Sequence, residues 1–137
     1  MTRTAHAVWN GDLKGGKGIL TTQSKGLQDT PYSFGTRFED APGVNPEELI
    51  AAAHAGCFAM ATSAQLGERG ITPESVDATA AVTMENLTIT RSALTCTITA
   101  PGADRHQVEA AAEAAKAGCP ISKLLNADIT LDLTINV

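Results

Sequence analysis

Basic residues are scarce in this chain. Ten Lys and Arg stand against fifteen Asp and Glu, a net charge of -5 over 137 residues. No stretch gathers Lys and Arg into a patch, which removes the electrostatic basis for nucleic acid or an anionic membrane as a partner. Long apolar runs are missing too. The longest, Leu49 to Ala61, is too short to span a bilayer and is interrupted by His54. The segment Met1–Asn10 holds no apolar stretch of signal-peptide length. The expected location is therefore cytoplasmic, where thiols stay reduced. Three cysteines in such a chain do not make a disulfide framework. There is no C-x-x-C, no repeat, no low-complexity segment and no linker. One domain over 1–137 is expected.

What is present has a readable order. The first third is glycine-rich, with apolar runs at Ala5–Trp9, Gly18–Thr22 and Tyr32–Phe38. These predict small antiparallel strands turned by Asn10-Gly11-Asp12 and Lys14-Gly15-Gly16. Asn45-Pro46-Glu47-Glu48 then opens a helix: Asn45 caps it, Pro46 needs no N–H partner at the first position, and Glu48 completes a capping box. The helix should run to about Gly67 or Gly70, and no Asp, Glu, Lys or Arg interrupts it between Glu48 and Glu68. An uncharged helix of about 20 residues needs covering on all sides. A chain this small cannot cover it alone, so a homodimer is the simplest remedy.

Beyond Gly70 the period changes. Val76–Ile89 reads as one strand, and Ala93–Ala100 alternates Leu94, Cys96, Ile98 against Thr95, Thr97, Thr99. Asp104 caps a second helix that Gly118 stops, Cys119-Pro120 starts a helical turn to Leu125, and Ile129–Val137 alternates as a half-buried strand. The fold class is α+β.

The chemistry rests on cysteine. Cys96 falls on the apolar side of its strand and reads as a small core residue. Cys57 lies in mid-helix, where burial raises a thiol pKa and makes it inert. Cys119 precedes a Pro-initiated turn whose free N–H groups favour a thiolate, so position alone makes it the more reactive thiol. His54 shares a helix face with Cys57, which leaves open a nucleophile–base pair. Zinc would need ligands that no tight motif supplies, so neither metal nor cofactor is expected. An activated Cys57 requires a cation from elsewhere. Arg37, between Thr36 and Phe38, is the candidate, with Glu47 or Glu48 as the carboxylate that fixes its fork.

Asn45-Pro46-Glu47-Glu48-Leu49, Ala53-His54-Ala55-Gly56-Cys57-Phe58 and Ala117-Gly118-Cys119-Pro120-Ile121-Ser122 together resemble the OsmC/Ohr family (osmotically inducible protein C and organic hydroperoxide resistance protein). The likeness runs from Trp9-Asn10-Gly11-Asp12 through Ile129-Thr130-Leu131-Asp132. The arginine shortly before the Asn-Pro-Glu helix start resembles the OsmC branch. The resemblance implies an intertwined homodimer, with antiparallel sheets wrapped around central helices. It implies a peroxidase that reduces alkyl or fatty-acyl hydroperoxides. Cys57 would be the peroxidatic thiol, Cys119 the resolving one, Arg37 the activating cation and Glu47 its carboxylate. A sulfenic acid on Cys57 would condense with Cys119, and a dithiol, of lipoyl type in the family, would reduce the disulfide. This reverses the positional assignment of the attacking thiol. Phe58, Met60 and Leu49 would suit an alkyl tail. Glu47 and Cys57 lie ten residues apart on one helix, roughly 15 Å of rise, which favours a composite site at a dimer interface. Two other readings compete: a non-catalytic dimer that binds an apolar ligand with the cysteines as a redox latch, and a thiol hydrolase using Cys57 and His54.

Overall fold

A computed structural model describes all residues from Met1 to Val137. The chain divides into two compact units, Met1–Leu49 and Ile50–Val137.

In the first unit, strands β1 (Ala5–Asn10), β2 (Lys17–Thr22) and β3 (Thr30–Tyr32) form an antiparallel sheet in that order. Gly11, at φ +97°, turns β1 into β2 in a conformation that favours glycine. Gly18 serves a different need. A Cβ there would collide with the rings of Tyr32 and Trp9, which pack with centroids 5.5 Å apart. The predicted third strand is corrected. Only Thr30–Tyr32 is extended, and Phe34–Phe38 is a helical turn, α1. Ser33 explains the change: its hydroxyl accepts from the Thr36 N–H, while the Thr36 hydroxyl accepts from the Ser33 N–H. This reciprocal cap outweighs the strand preference of the aromatic residues around it.

Helix α2 (Pro46–Glu68) begins where the sequence predicts. Asn45 Oδ1 accepts from the Glu48 N–H at 2.8 Å, and Asn45 Nδ2 donates to Glu48 Oε1 at 3.2 Å.

In the second unit, β4 (Ser75–Glu85) and β5 (Thr88–Thr99) form a long hairpin. The single strand expected over Val76–Ile89 is thus broken. Asn86 and Leu87 both take positive φ, 51° and 60°, which is the two-residue turn that matches strand twist. Strand β6 (Asp128–Asn136) pairs parallel with β5, so the second sheet is mixed and the wholly antiparallel expectation is corrected. The crossover is long enough for a parallel return because α3 (Arg105–Gly118) and α4 (Pro120–Leu124) lie within it. Asp104 caps α3 through the Gln107 N–H.

One face of β5 presents Ser92, Leu94, Cys96 and Ile98 inward. The apolar members join Phe58 and Leu66 of α2 and Val108, Ala111, Ala112 and Ala115 of α3 in the core. Helix α2 buries a single stripe: His54, Phe58, Thr62 and Leu66, each four residues from the next. Its opposite side, including Ala52, Ala53, Gly56, Met60 and Ala64, is exposed in the single chain, with Met60 at 78%. The helix is long and apolar enough by composition to cross a membrane. Instead its buried stripe is seated on this core.

Candidate active site

Two pairs of the expected site residues come together, one in each unit.

In the first unit, α1 carries Arg37 and the first turn of α2 carries Glu47. Arg37 Nε donates to Glu47 Oε1 and Oε2 at 3.1 and 3.3 Å, and Nη2 donates to Oε1 at 2.8 Å. The fork meets the carboxylate with two nitrogens, a geometry lysine cannot copy. Glu48 turns instead to Asn45, so the choice between the two glutamates falls on Glu47. The Arg37 guanidinium carbon also sits 5.2 Å from the centre of the Phe38 ring. A hollow of about 160 Å³ borders Arg37, walled by Trp9, Leu13, Tyr32, Phe34 and Phe38.

In the second unit, the break between α3 and α4 presses Cys119 against the middle of α2. Gly118 ends one helix and Pro120 starts the next, leaving Cys119 extended between them at φ -58°, ψ 132°. The Cys119 and Cys57 sulfurs are 2.9 Å apart and share a hydrogen bond. Both are free thiols, and a disulfide needs only that they close to about 2.05 Å. Cys119 is fully buried and Cys57 half-buried.

The surroundings bias the two thiols in opposite directions. Burial pushes Cys57 above its ordinary value, and the contact with Cys119 pushes it the same way; the Ile121 N–H only partly opposes them. For Cys119 burial also acts upward, but it is outweighed. The Cys57 thiol, the Ser122 N–H and hydroxyl and the Ile121 N–H together hold the Cys119 thiol below its ordinary value.

His54 does not pair with Cys57. Its ring is wholly buried, with Nδ1 2.6 Å from Ser92 Oγ and Nε2 2.8 Å from Ser122 Oγ. Both nitrogens are committed, which leaves no base for a Cys57 hydrolase. Ser92 and Ser122 escaped the sequence reading, although a signal was there. The alternation of Leu94, Cys96 and Ile98 extends back by two residues to place Ser92 inward, where a hydroxyl needs a partner. Phe58 belongs to the core and is closed to a substrate tail. No group of three or more His, Cys, Asp and Glu side chains converges to hold a metal.

With this geometry in place, comparison with known proteins is decisive. Residues 38–134 match the family described as OsmC-like protein. The chain belongs to the OsmC family. It is 48% identical over 134 residues to Peroxiredoxin OsmC of Escherichia coli (strain K12), covering 95% of this chain and 94% of that protein. The Peroxiredoxin OsmC of Shigella flexneri matches to the same extent. The fold is shared with an OsmC-like protein from Mycoplasma pneumoniae (TM-score 0.78, 12% identity, 100% and 99% of the two chains). It is shared as well with the organic hydroperoxide resistance protein OhrB of Bacillus subtilis (TM-score 0.66, 24% identity, 95% and 97%). The OsmC chain is therefore a mixed α+β fold with two sheets, like these relatives.

Proposed function

We propose that this OsmC-family chain is a cysteine-based peroxidase that reduces organic hydroperoxides. The observation that carries the reading is the 2.9 Å approach of Cys57 and Cys119, in a chain nearly half identical to proteins named peroxiredoxin. The Cys57 thiolate attacks one peroxide oxygen, the O–O bond breaks, and the alkoxide leaves as alcohol after taking a proton. Cys57 is left as a sulfenic acid. Cys119 attacks that sulfur, water departs, and the disulfide forms. A dithiol, for which a lipoyl group has the right chemistry, then restores both thiols by exchange.

Cys57 is the attacking thiol in this reading because it is the more accessible of the two, but its own surroundings hold it protonated. It needs a cation. Arg37 has the charge and the fixed fork, and we place it beside Cys57 in a homodimer, with the uncharged face of α2 as the surface on which the copies meet. A guanidinium within about 4–6 Å of the sulfur lowers a thiol pKa by about one to three pH units and offers a donor to the leaving alkoxide. The aromatic hollow next to Arg37 suits an alkyl or acyl group better than the small polar hydrogen peroxide. The compartment that keeps these thiols reduced is the cytoplasm.

The test is stopped-flow oxidation of the reduced protein by an alkyl hydroperoxide and by hydrogen peroxide, with turnover supported by a dithiol. Much faster oxidation by the alkyl hydroperoxide is expected. Equally slow reaction with both would sink the proposal in favour of a binding module with a redox latch.

A further inference from the structure

The reaction above makes no use of His54, although its ring is wholly buried. With Ser122 it forms a cross-connection between α2 and α4 that repeats the spacing of the thiol contact. His54 stands three residues before Cys57 on α2, and Cys119, the N-cap of α4, stands three residues before Ser122. His54 Nε2 lies 2.8 Å from Ser122 Oγ, and the Cys57 and Cys119 sulfurs lie 2.9 Å apart. Two side-chain bridges therefore join the same two segments, with α4 running against the direction of α2.

Burial along α4 shows which bridge holds it. Leu124 is 74% exposed, whereas Ser122 is the one buried residue of the helix. A five-residue turn that exposes its leucine and buries a hydroxyl is docked by a polar contact more than by apolar area. The partner is well suited to that contact. A neutral imidazole has one N–H and one acceptor nitrogen, and a hydroxyl can give or accept. The bond to Ser122 therefore stands with either tautomer, while Ser92 Oγ, 2.6 Å from Nδ1, satisfies the other nitrogen from β5. The Cys119 N–H bonds to Ala115 O at 2.9 Å, which continues α3 and makes no tie to α2. A thiol is a weak donor and a weak acceptor, so the two sulfurs need a stronger neighbouring bond to keep them in register.

We propose that the His54–Ser122 hydrogen bond is a positioning clamp that keeps Cys119 in register with Cys57 and so raises the effective concentration of one thiol at the other. His54 and Ser122 are positioning residues that act through the placement of α4. Their part in catalysis rests on the peroxidase reading and belongs to its second half. There the Cys119 sulfur bonds to the Cys57 sulfur and the S–O bond of the sulfenic acid breaks. The departing hydroxyl leaves as water with the proton of the Cys119 thiol. Cys119 is oxidised and the sulfenic sulfur is reduced. The clamp supplies neither proton nor charge to this step. It shortens the search for the partner sulfur, and a sulfenic acid that closes quickly is exposed only briefly to further peroxide.

The decisive experiment needs no peroxide. Reduced protein is equilibrated with mixtures of reduced and oxidised glutathione. The two protein thiols give up two electrons and two protons to glutathione disulfide, which becomes two glutathione thiols. After an acid quench, peptide mass spectrometry gives the fraction linked as Cys57–Cys119. Ser122→Ala should lower the effective concentration about tenfold, a rise of about 30 mV in the reduction potential of the pair. Ser92→Ala takes the other hydroxyl from the same ring but leaves α4 tied to α2. It should cost comparable stability and keep the glutathione equilibrium near that of wild type. Ser122→Thr retains the hydroxyl and should restore most of the wild-type value. If Ser122→Ala does not fold, the triple variant Ser92→Ala, His54→Phe, Ser122→Ala leaves no polar atom of the network unpaired and should show the same loss. With an alkyl hydroperoxide, Ser122→Ala should slow loss of the sulfenic acid about tenfold. An unchanged equilibrium in folded Ser122→Ala or in the triple variant, or an equal loss in Ser92→Ala, overturns the clamp. Failure of the wild type to consume peroxide would overturn the peroxidase reading alone, because the glutathione equilibrium decides the clamp.

Discussion

Replacing Arg37 by alanine separates catalysis from stability. The ion pair with Glu47 has good geometry, with contacts of 2.8, 3.1 and 3.3 Å. Yet the arginine side chain is 37% exposed, against 13% for the glutamate. Solvent screening at that exposure limits the pair to about 1 kcal/mol of stability or less, a fall in melting temperature of about 4 °C or less for a domain of this size. The expected kinetic loss is larger. Cys57 is already held above its ordinary value by burial and by Cys119, so without the cation its thiolate fraction at pH 7 falls roughly tenfold per unit of pKa lost. One to three such units mean a peroxide step about ten- to a thousandfold slower. Arg37→Lys keeps the charge but cannot reproduce three contacts from two nitrogens, and should fall between alanine and wild type. Stopped-flow rates of Cys57 oxidation from pH 5 to 10, beside a thermal melt of each variant, make the comparison. Raising the pH should recover the charge-dependent part of the alanine loss. An unchanged rate in folded Arg37→Ala, or a deficit that stays equally large at high pH, would refute the role given to the cation.

Further outcomes concern the thiols and the exposed helix face. Cys57→Ser should abolish peroxide consumption, whereas Cys119→Ser should allow one turnover and then stall as a sulfenic or over-oxidised form; peptide mass spectrometry of oxidised wild type should find a Cys57–Cys119 link with Cys96 free. Met60 is 78% exposed in the single chain, so Met60→Glu costs an isolated chain little but places a charge in the interface of a dimer; sedimentation should show dissociation, and an unaffected assembly would mean that α2 is not the contact. Cys96, buried in the core, is pushed up to about 11 by burial and by Asp77. Because its folded value lies above the unfolded one, the stability it contributes is fully present below the ordinary thiol range and is lost as pH climbs toward 11. The loss is about 2–3 kcal/mol. Urea unfolding of wild type and Cys96→Val at pH 8 and pH 11 should therefore converge or cross, and a constant difference would contradict this.

Local rules made much of the molecule legible. The start of α2 could be read because Asn45, Pro46 and Glu48 act on neighbouring backbone groups, and the inward rows of β5 and β6 could be read because alternation has only one period. Capping by Asp104 and the stop at Gly118 are of the same kind. Three features were legible only in part. The Ser33–Thr36 cap overrode an extended pattern, a two-residue turn at Asn86-Leu87 cut one apparent strand into a hairpin, and β6 returned parallel to β5. Strand direction is not encoded in alternation, since a parallel and an antiparallel neighbour bury the same face.

The four expected site residues were named from sequence, but their pairing was a matter of tertiary structure. Cys57 and Cys119 are 62 residues apart in the chain, and nothing local says that the break between α3 and α4 will fall against the middle of α2. The same holds for His54, whose partners Ser92 and Ser122 lie 38 and 68 residues away. From sequence a base for Cys57, three residues on, stayed open beside a packed histidine with one hydrogen bond, because helix periodicity reports which face a residue occupies and not what is packed against it. Composition and spacing determined that one cysteine stands on an uncharged helix and another before a Pro-initiated turn, and the resemblance implied thiol chemistry for the two. Only the packing of β5 and α4 onto that helix decided which side chains meet, with Cys119 brought to 2.9 Å from Cys57 and two serines brought to His54, because the fold, and not the chain order, makes distant residues neighbours.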